Sequence, residues 1–417
     1  MSTACDAESV WHKPILEPQL AKQITYHLLA LSICCSFTCI AVSVSVWHIL
    51  QHAMHYFRPS EQKHIIRILA TIPIYASTTF LGYIYYRDAV YYEIVRNCYE
   101  AYAIASFFTL MCHYLAPNLH EQKAYLRQVQ PKNWAAPLSW LQKLTGGENK
   151  GWLRRPESGL TWFNIVYFGV FQYCVIRPVF MVVALVVQSQ KLYCQSSTQP
   201  RFASLWITLF DAISIIVAMY CLVQFYFQFK DDMALHRPTW KIVSIKVVIF
   251  FVFWQDLLIA ILTRDDIGAI KPDKNPLIAA PDLRIGIPAL LTSVEMATFA
   301  TLHCWAFPWK QYAATGTSLN SREAYVCGPI TAVLEAMNPW DYAKAAARGF
   351  RWVCYGARLR KSDASCMCER EPVVSSPSLD YLDEARTSPF PRRSEMRTSP
   401  GCSESIRQRA RIGRRTM

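Results

Sequence analysis

Seven ionisable side chains stand inside long apolar stretches of this chain: Arg96, Glu100, Arg177, Asp211, Lys246, Asp256 and Glu295. At the centre of a lipid-facing helix each such group costs about 2.5–3.5 kcal/mol. All of them together would cost roughly 20 kcal/mol, more than the net stability of most domains. They must therefore face a bundle interior, water or an interface. Basic and acidic groups are both present, so mutual pairing is open to them. Arg96 and Glu100 are four apart and share a helix face. Lys246 and Asp256 lie about 80° apart round a helix and share a half. Two readings stand side by side: a path or gate for a polar solute, and ion pairs that fix helix packing. Pro178 directly follows Arg177, and Pro73 and Pro288 interrupt two further runs. A proline frees a backbone carbonyl one turn back and can kink its helix, which suits a cavity.

Other chemistries find little support. His48, His52 and His55 have ligand-like i, i+4, i+7 spacing, but such histidines more often sit at the headgroup boundary, and no metal is expected. Cys366 and Cys368 lack the second pair that a zinc site needs. Most cysteines lie in apolar runs as small hydrophobic residues. Cys354, Cys366 and Cys368 are candidates for palmitate, being close to a basic helix. The stretch Thr145-Gly-Gly-Glu-Asn-Lys-Gly lacks phosphate-loop spacing, so ATP-driven pumping has no support. The last apolar run holds no Lys for a retinal Schiff base. Asp-Arg-Tyr and Asn-Pro-x-x-Tyr, which would mark a rhodopsin-like receptor, are missing from the third and seventh runs. No catalytic residues, no cofactor and no enzyme activity are expected.

The elements that position these charges follow from composition. Hydrophobic residues make up 53% of the 417, charged ones 18%, below the roughly 25% of soluble domains. Yet the net charge is +13. A disulfide miniprotein, a collagen and a wholly disordered chain are all excluded. Apolar runs at 24–50, 65–86, 93–115, 161–188, 203–229, 242–263 and 285–307 are each long enough to cross a ~30 Å core as helices. The fold class is an all-α integral membrane protein with a seven-span domain over 24–307. Residues 1–23 are polar, without a signal-peptide pattern, so the first run reads as a retained anchor. The loop between the third and fourth runs carries Lys123, Arg127, Lys132, Lys143, Lys150, Arg154 and Arg155, and it decides orientation. The N-terminus is expected outside the cytosol and the C-terminus inside.

Residues 308–360 form a juxtamembrane region. Asn338-Pro339-Trp340-Asp341 reads as a helix start. Ala343, Ala347, Phe350, Val353, Cys354 and Ala357 then share one side, beside a strip of Lys344, Arg348, Arg351 and Arg358. That pattern suits an amphipathic helix on an anionic membrane surface; the plainer reading packs it on the inner ends of the spans. Residues 361–417 read as a disordered basic tail with Arg-Thr-Ser-Pro at 386–389 and 397–400, both candidate phosphorylation sites. The expected macromolecular surroundings are the lipid bilayer, with no nucleic-acid partner.

Several ordered stretches resemble the organic solute transporter alpha-subunit and transmembrane protein 184 family, in its fungal-type form. They are Pro59-Ser-Glu61-Gln-Lys-His-Ile-Ile-Arg67, Ile72-Pro73-Ile-Tyr75, Val95-Arg96-Asn97-Cys-Tyr99-Glu100, Gln172-Tyr-Cys-Val-Ile-Arg177-Pro, Phe253-Trp254-Gln255, Val294-Glu295-Met296, Phe307-Pro-Trp-Lys310 and Met337-Asn338-Pro339-Trp-Asp341. One departure stands out: Asn97 replaces an acidic residue usual in the family, leaving Glu100 or another span to neutralise Arg96. The resemblance implies seven spans, an external N-terminus and facilitated movement of amphipathic organic solutes such as sterol conjugates or lipids. It adds Gln255 to the candidate path and raises a homo-oligomer or a single-span partner subunit. A plasma membrane or a vacuolar or endosomal membrane is the expected setting. The alternative is a seven-span receptor or scaffold acting in trafficking or signalling through its cytosolic tail.

Overall fold

The computed structural model describes residues 25–116, 119–147, 155–156, 158–190, 202–233, 255, 258–259, 262, 279, 281–313 and 328–351. All belong to one unit, Met1–Asp363; the second, Ala364–Met417, lies outside the described residues. The described elements are helices: α1 (Tyr26–Met54), α2 (Pro59–Leu69), α3 (Thr71–Ile84), α4 (Ala89–Leu115), α5 (Leu119–Gln128), α6 (Leu138–Leu144), α7 (Gly159–Ser189), α8 (Ala203–Phe229), α9 (Ile287–Ala306), α10 (Pro329–Met337) and α11 (Trp340–Arg351).

Tyr26–Met54, Pro59–Ile84, Gly159–Ser189, Ala203–Phe229 and Asp282–Ala313 are each long and apolar enough to cross a membrane. These account for five of the seven expected spans. Helix α4 has the length, at 27 residues, but carries Glu93, Arg96 and Glu100. The expected span at 242–263 falls almost wholly outside the described residues.

Local sequence explains the helix ends and breaks. The Thr25 hydroxyl caps α1 by accepting from the Leu28 amide at 3.3 Å. Helices α2 and α3 are separated at Ala70, three residues before Pro73, whose missing N–H leaves the Leu69 carbonyl without its helical donor. At the other end, α9 is entered through a wider turn. A π-turn over Asp282–Gly286 precedes it, and a Cβ at Gly286 would meet the Tyr83 ring at 2.8–2.9 Å. Tyr83 and His27 converge there on Asp282, both within 2.7 Å of the same carboxylate oxygen.

Packing is close where residues are small. Ala30, Cys34 and Ala41 on α1 are buried, as are Ala289, Ala297 and Ala300 on α9. Such residues let helix backbones approach in lipid, where no hydrophobic drive acts between spans. Between α4, α7 and α8 the filling is aromatic instead. Phe108 meets Phe225 edge-on at 5.1 Å, and Trp162 meets Phe229 at 5.8 Å.

The loop after α5 is strapped across the end of α8. Gln224 and Gln228, one turn apart, bond the backbone of Asn133, Ala135, Lys132 and Gln130 through their amides at 2.6–3.1 Å. Lys132 adds a bond to the Phe227 carbonyl, a favourable place for a cation at a helix C-terminus.

His48 and His52 are buried. Both Nε2 atoms lie within 3.0 Å of the Phe307 carbonyl at the end of α9. A carbonyl only accepts, so both rings donate and neither Nε2 offers a lone pair to a metal. No cluster of three or more metal-ligating side chains occurs among the described residues.

Candidate functional site

Four charges of the apolar runs meet from three helices, with a tyrosine from a fourth. Arg177 on α7 is held on two sides. Its Nη1 pairs with the Asp211 carboxylate on α8, and its Nη2 lies 3.9 Å from Oε2 of Glu100 on α4. The Tyr75 hydroxyl on α3 donates to the same Glu100 oxygen at 3.0 Å. Arg96 completes the group, its guanidinium 5.8 Å from the centre of the Tyr75 ring. Two guanidinium groups and two carboxylates thus sit together, balanced in formal charge. Partnering of this kind is what allows charges to remain within apolar helices.

The cluster lies well inside its helices. At 1.5 Å per residue, Glu100 stands ~17 Å from the start of α4, Asp211 ~12 Å from the start of α8 and Arg177 ~18 Å from the end of α7. It is also not sealed: Arg177 and Glu100 keep 17% and 12% of their side-chain surface. A guanidinium presents several donors in a planar fork that suits a carboxylate or sulfate.

Residues 30–312 match the organic solute transporter Ostalpha family. The chain belongs to that family. The matched stretch contains every residue of the cluster. The chain is also 33% identical, over 240 residues, to a transmembrane protein 184 homolog of Dictyostelium discoideum; the match covers 57% of this chain and 45% of that relative. The chain thus spans less than half the length of the curated relative it matches. No solved structure matches it. As a member of this family, with its long apolar helices, the chain is a multi-pass membrane protein of a solute-transporter group, which argues against an enzyme.

Of the candidate path residues, Arg96, Glu100, Arg177 and Asp211 are brought together. Gln255 lies elsewhere, its amide donating to the Pro288 carbonyl and the Thr292 hydroxyl on α9, both at 3.1 Å. Glu295 is half-buried on α9, one turn beyond Thr292. Lys246 and Asp256 lie outside the described residues, as do Arg358, Cys354, Cys366 and Cys368.

The basic strip is docked as well as exposed. Helix α11 packs on α7 and α4. The Tyr167 hydroxyl donates to the Ala345 carbonyl at 2.8 Å, and Lys63 pairs with Asp341 at 2.8 Å. The Tyr342 hydroxyl donates to the Cys174 carbonyl. That carbonyl is the one which Pro178, four residues on, cannot serve. The proline beside Arg177 thus supplies an acceptor for α11. Lys344, Arg348 and Arg351 remain exposed beside this contact.

Sequence reasoning leaves out two residues that the structure makes prominent. Tyr75 ties Glu100 to α3. Arg67, 1% exposed, donates to the carbonyls of Ala336 and Asn338 at the end of α10 and lies 3.7 Å from Asp341. The signal for both was their place in family-like stretches: the stretch ending at Arg67 and the stretch Met337–Asp341 are in contact.

Proposed function

We propose that this chain is a seven-span carrier that moves amphipathic organic solutes, sterol conjugates or lipids among them, without ATP hydrolysis. The observation that supports it is Arg177, held at mid-depth between Glu100 and Asp211 in a member of a solute-transporter family. Asp211 holds the guanidinium closely, and Glu100 holds it at the limit of an ion pair. The anionic head of a solute replaces Glu100, leaving Glu100 to Tyr75 and Arg96. Phe210 and Val179, next to Asp211 and Arg177 in the chain, are half-exposed and offer apolar surface for the body of the solute.

In this reading α4 and residues 242–263 complete seven spans. The N-terminus is extracytosolic, the basic tail is cytosolic, and the host is a plasma membrane or a vacuolar or endosomal membrane. Transport proceeds as a homo-oligomer or with a single-span partner subunit.

Reconstitution of the purified chain in liposomes tests it, with a panel of sterol sulfates, bile-acid-like conjugates and lipids. Saturable flux that falls in Arg177→Gln is the expected result. Absence of flux across the panel, with tail-dependent recruitment of a cytosolic protein, would instead favour a receptor or scaffold.

A further inference from the structure

A second polar site lies at the end of the bundle where α2 starts, α4 ends and α11 docks. A cavity of about 460 Å³ opens there between α11 and the spans. Its lining carries five permanent cations: Lys63, Arg67, Lys344, Arg348 and Arg351. Asp341 is the one carboxylate among the lining residues, and it is taken by Lys63 at 2.8 Å and Arg67 at 3.7 Å. Among the described residues Arg348 reaches back to the Lys344 carbonyl of its own helix, at 3.4 Å. Among the described residues Lys344, Arg348 and Arg351 have no carboxylate within ion-pair distance. The His64 ring adds a buried Nε2 with no hydrogen-bond partner among the described residues. The floor is small and polar at Ser106 and Thr109.

We infer that this cavity binds a multiply phosphorylated headgroup, as a site separate from the Arg177 cluster. A phosphate monoester carries about 1.5–2 negative charges and three acceptor oxygens. Two such groups balance the three cations left without a carboxylate, and guanidinium forks bind phosphate oxygens in pairs. A basic pocket between spans near their ends is the kind of place where anionic lipid headgroups are held. The volume lies within the ~300–1,000 Å³ of small-molecule sites. The same chemistry is offered by a phosphorylated lipid and by a soluble inositol phosphate.

Native mass spectrometry on the full chain decides between these sources and tests the site. One arm uses nanodiscs doped with phosphatidylinositol bisphosphate, or with phosphatidylserine at matched charge. The other adds inositol trisphosphate to protein in detergent. The expected result is one phosphoinositide retained per chain and no comparable retention of phosphatidylserine. Binding of inositol trisphosphate as well assigns recognition to the headgroup alone; its failure to bind assigns the site to the lipid form. Arg348→Gln with Arg351→Gln should weaken retention roughly tenfold or more. Ser106→Leu, which fills the floor and alters no charge, should do the same, while Lys143→Gln on exposed α6 should not. Equal retention of phosphatidylserine, or retention unchanged in the double Arg variant, would overturn the inference. The Arg variant decides alone if Ser106→Leu does not fold, because Arg348 and Arg351 are exposed.

Discussion

Glu100 and Asp211 grip opposite nitrogens of the same Arg177 guanidinium, Glu100 from α4 at 3.9 Å and Asp211 from α8 in closer contact. The two carboxylates are therefore not equivalent. Asp211 neutralises the guanidinium, whereas Glu100 divides its charge between Arg177 and the Tyr75 hydroxyl.

Glu100→Gln should consequently separate packing from transport. Gln keeps the size of Glu and can still accept from Tyr75, and Asp211 still neutralises Arg177. Thermal stability in detergent is expected to fall by about 1–3 kcal/mol, less than for loss of the closer carboxylate although Arg96 is left with less counter-charge, while flux per folded molecule drops. Asp211→Asn should be far more damaging to folding, at about 3–5 kcal/mol, because it removes the close partner of a buried charge. Unaltered flux in folded Glu100→Gln would take Glu100 out of the path and leave it as packing.

The meeting of Pro178 and Tyr342 gives a second test. Tyr342→Phe strands the Cys174 carbonyl, at a cost of about 1–3 kcal/mol, and amide exchange across α11 should quicken. In a Pro178→Ala background the restored backbone N–H supplies that carbonyl. There, Tyr342→Phe should have a smaller effect, and a double-mutant cycle should report coupling of roughly 0.5–3 kcal/mol. Additive effects would mean that the hydroxyl does not serve this carbonyl.

Acid should loosen α11. The hydrogen bond from Lys63 holds the Asp341 carboxyl below its usual range, against the opposing effect of partial burial and with help from the charges of Lys63, Arg67 and Lys344. A depressed carboxyl stabilises fully above its unfolded pKa of about 3.9, and that stabilisation is lost as pH falls through the folded value. Exchange over 340–351, corrected for intrinsic rates, should stay level from neutral pH down to about 5 and rise below about 4. Asp341→Asn should exchange faster at neutral pH and lose the acid-dependent rise.

Orientation has its own check. A protease cleaving at an N-terminal tag from the outside of sealed vesicles, with a C-terminal tag protected, is the outcome expected from the Lys and Arg of the third loop. The reverse pattern of protection would invert the reading.

How much of this could be read from the chain depends on distance along it. Hydropathy is a local property, so the runs that became α1, α7, α8 and α9 were visible at once. Arg96 and Glu100 share one helix, and their common face follows from periodicity. The partnership of Arg177 with Asp211 has no such rule, since it depends on how two helices are rotated against each other. Asp282 escapes a reading by hydropathy because the last apolar run begins at 285, three residues after the carboxylate that opens the helical stretch Asp282–Ala313. Arg67 falls between two categories. It lies too near the edge of its run to stand out as a buried charge and too far inside to be a loop residue, and only α10 reveals why it is buried.

The contact between α7 and α8 has a mechanical consequence. The two helices are joined at three levels in antiparallel register. A Cβ at Gly169 would run into the Cys221 thiol. Gln172 and Ser214 exchange two hydrogen bonds at 2.7–2.8 Å, and Arg177 pairs with Asp211. Sliding one helix along the other would break all three ties together, so α7 and α8 behave as one stiff lever. The long contact from Glu100 is one of the places where that lever meets α4, beside the Cys174 thiol at the Ala101 carbonyl, and through Tyr342 and Cys174 the same lever is bonded to α11. A tilt of the pair would therefore be felt at the Glu100 side of the cluster and at the juxtamembrane helix together.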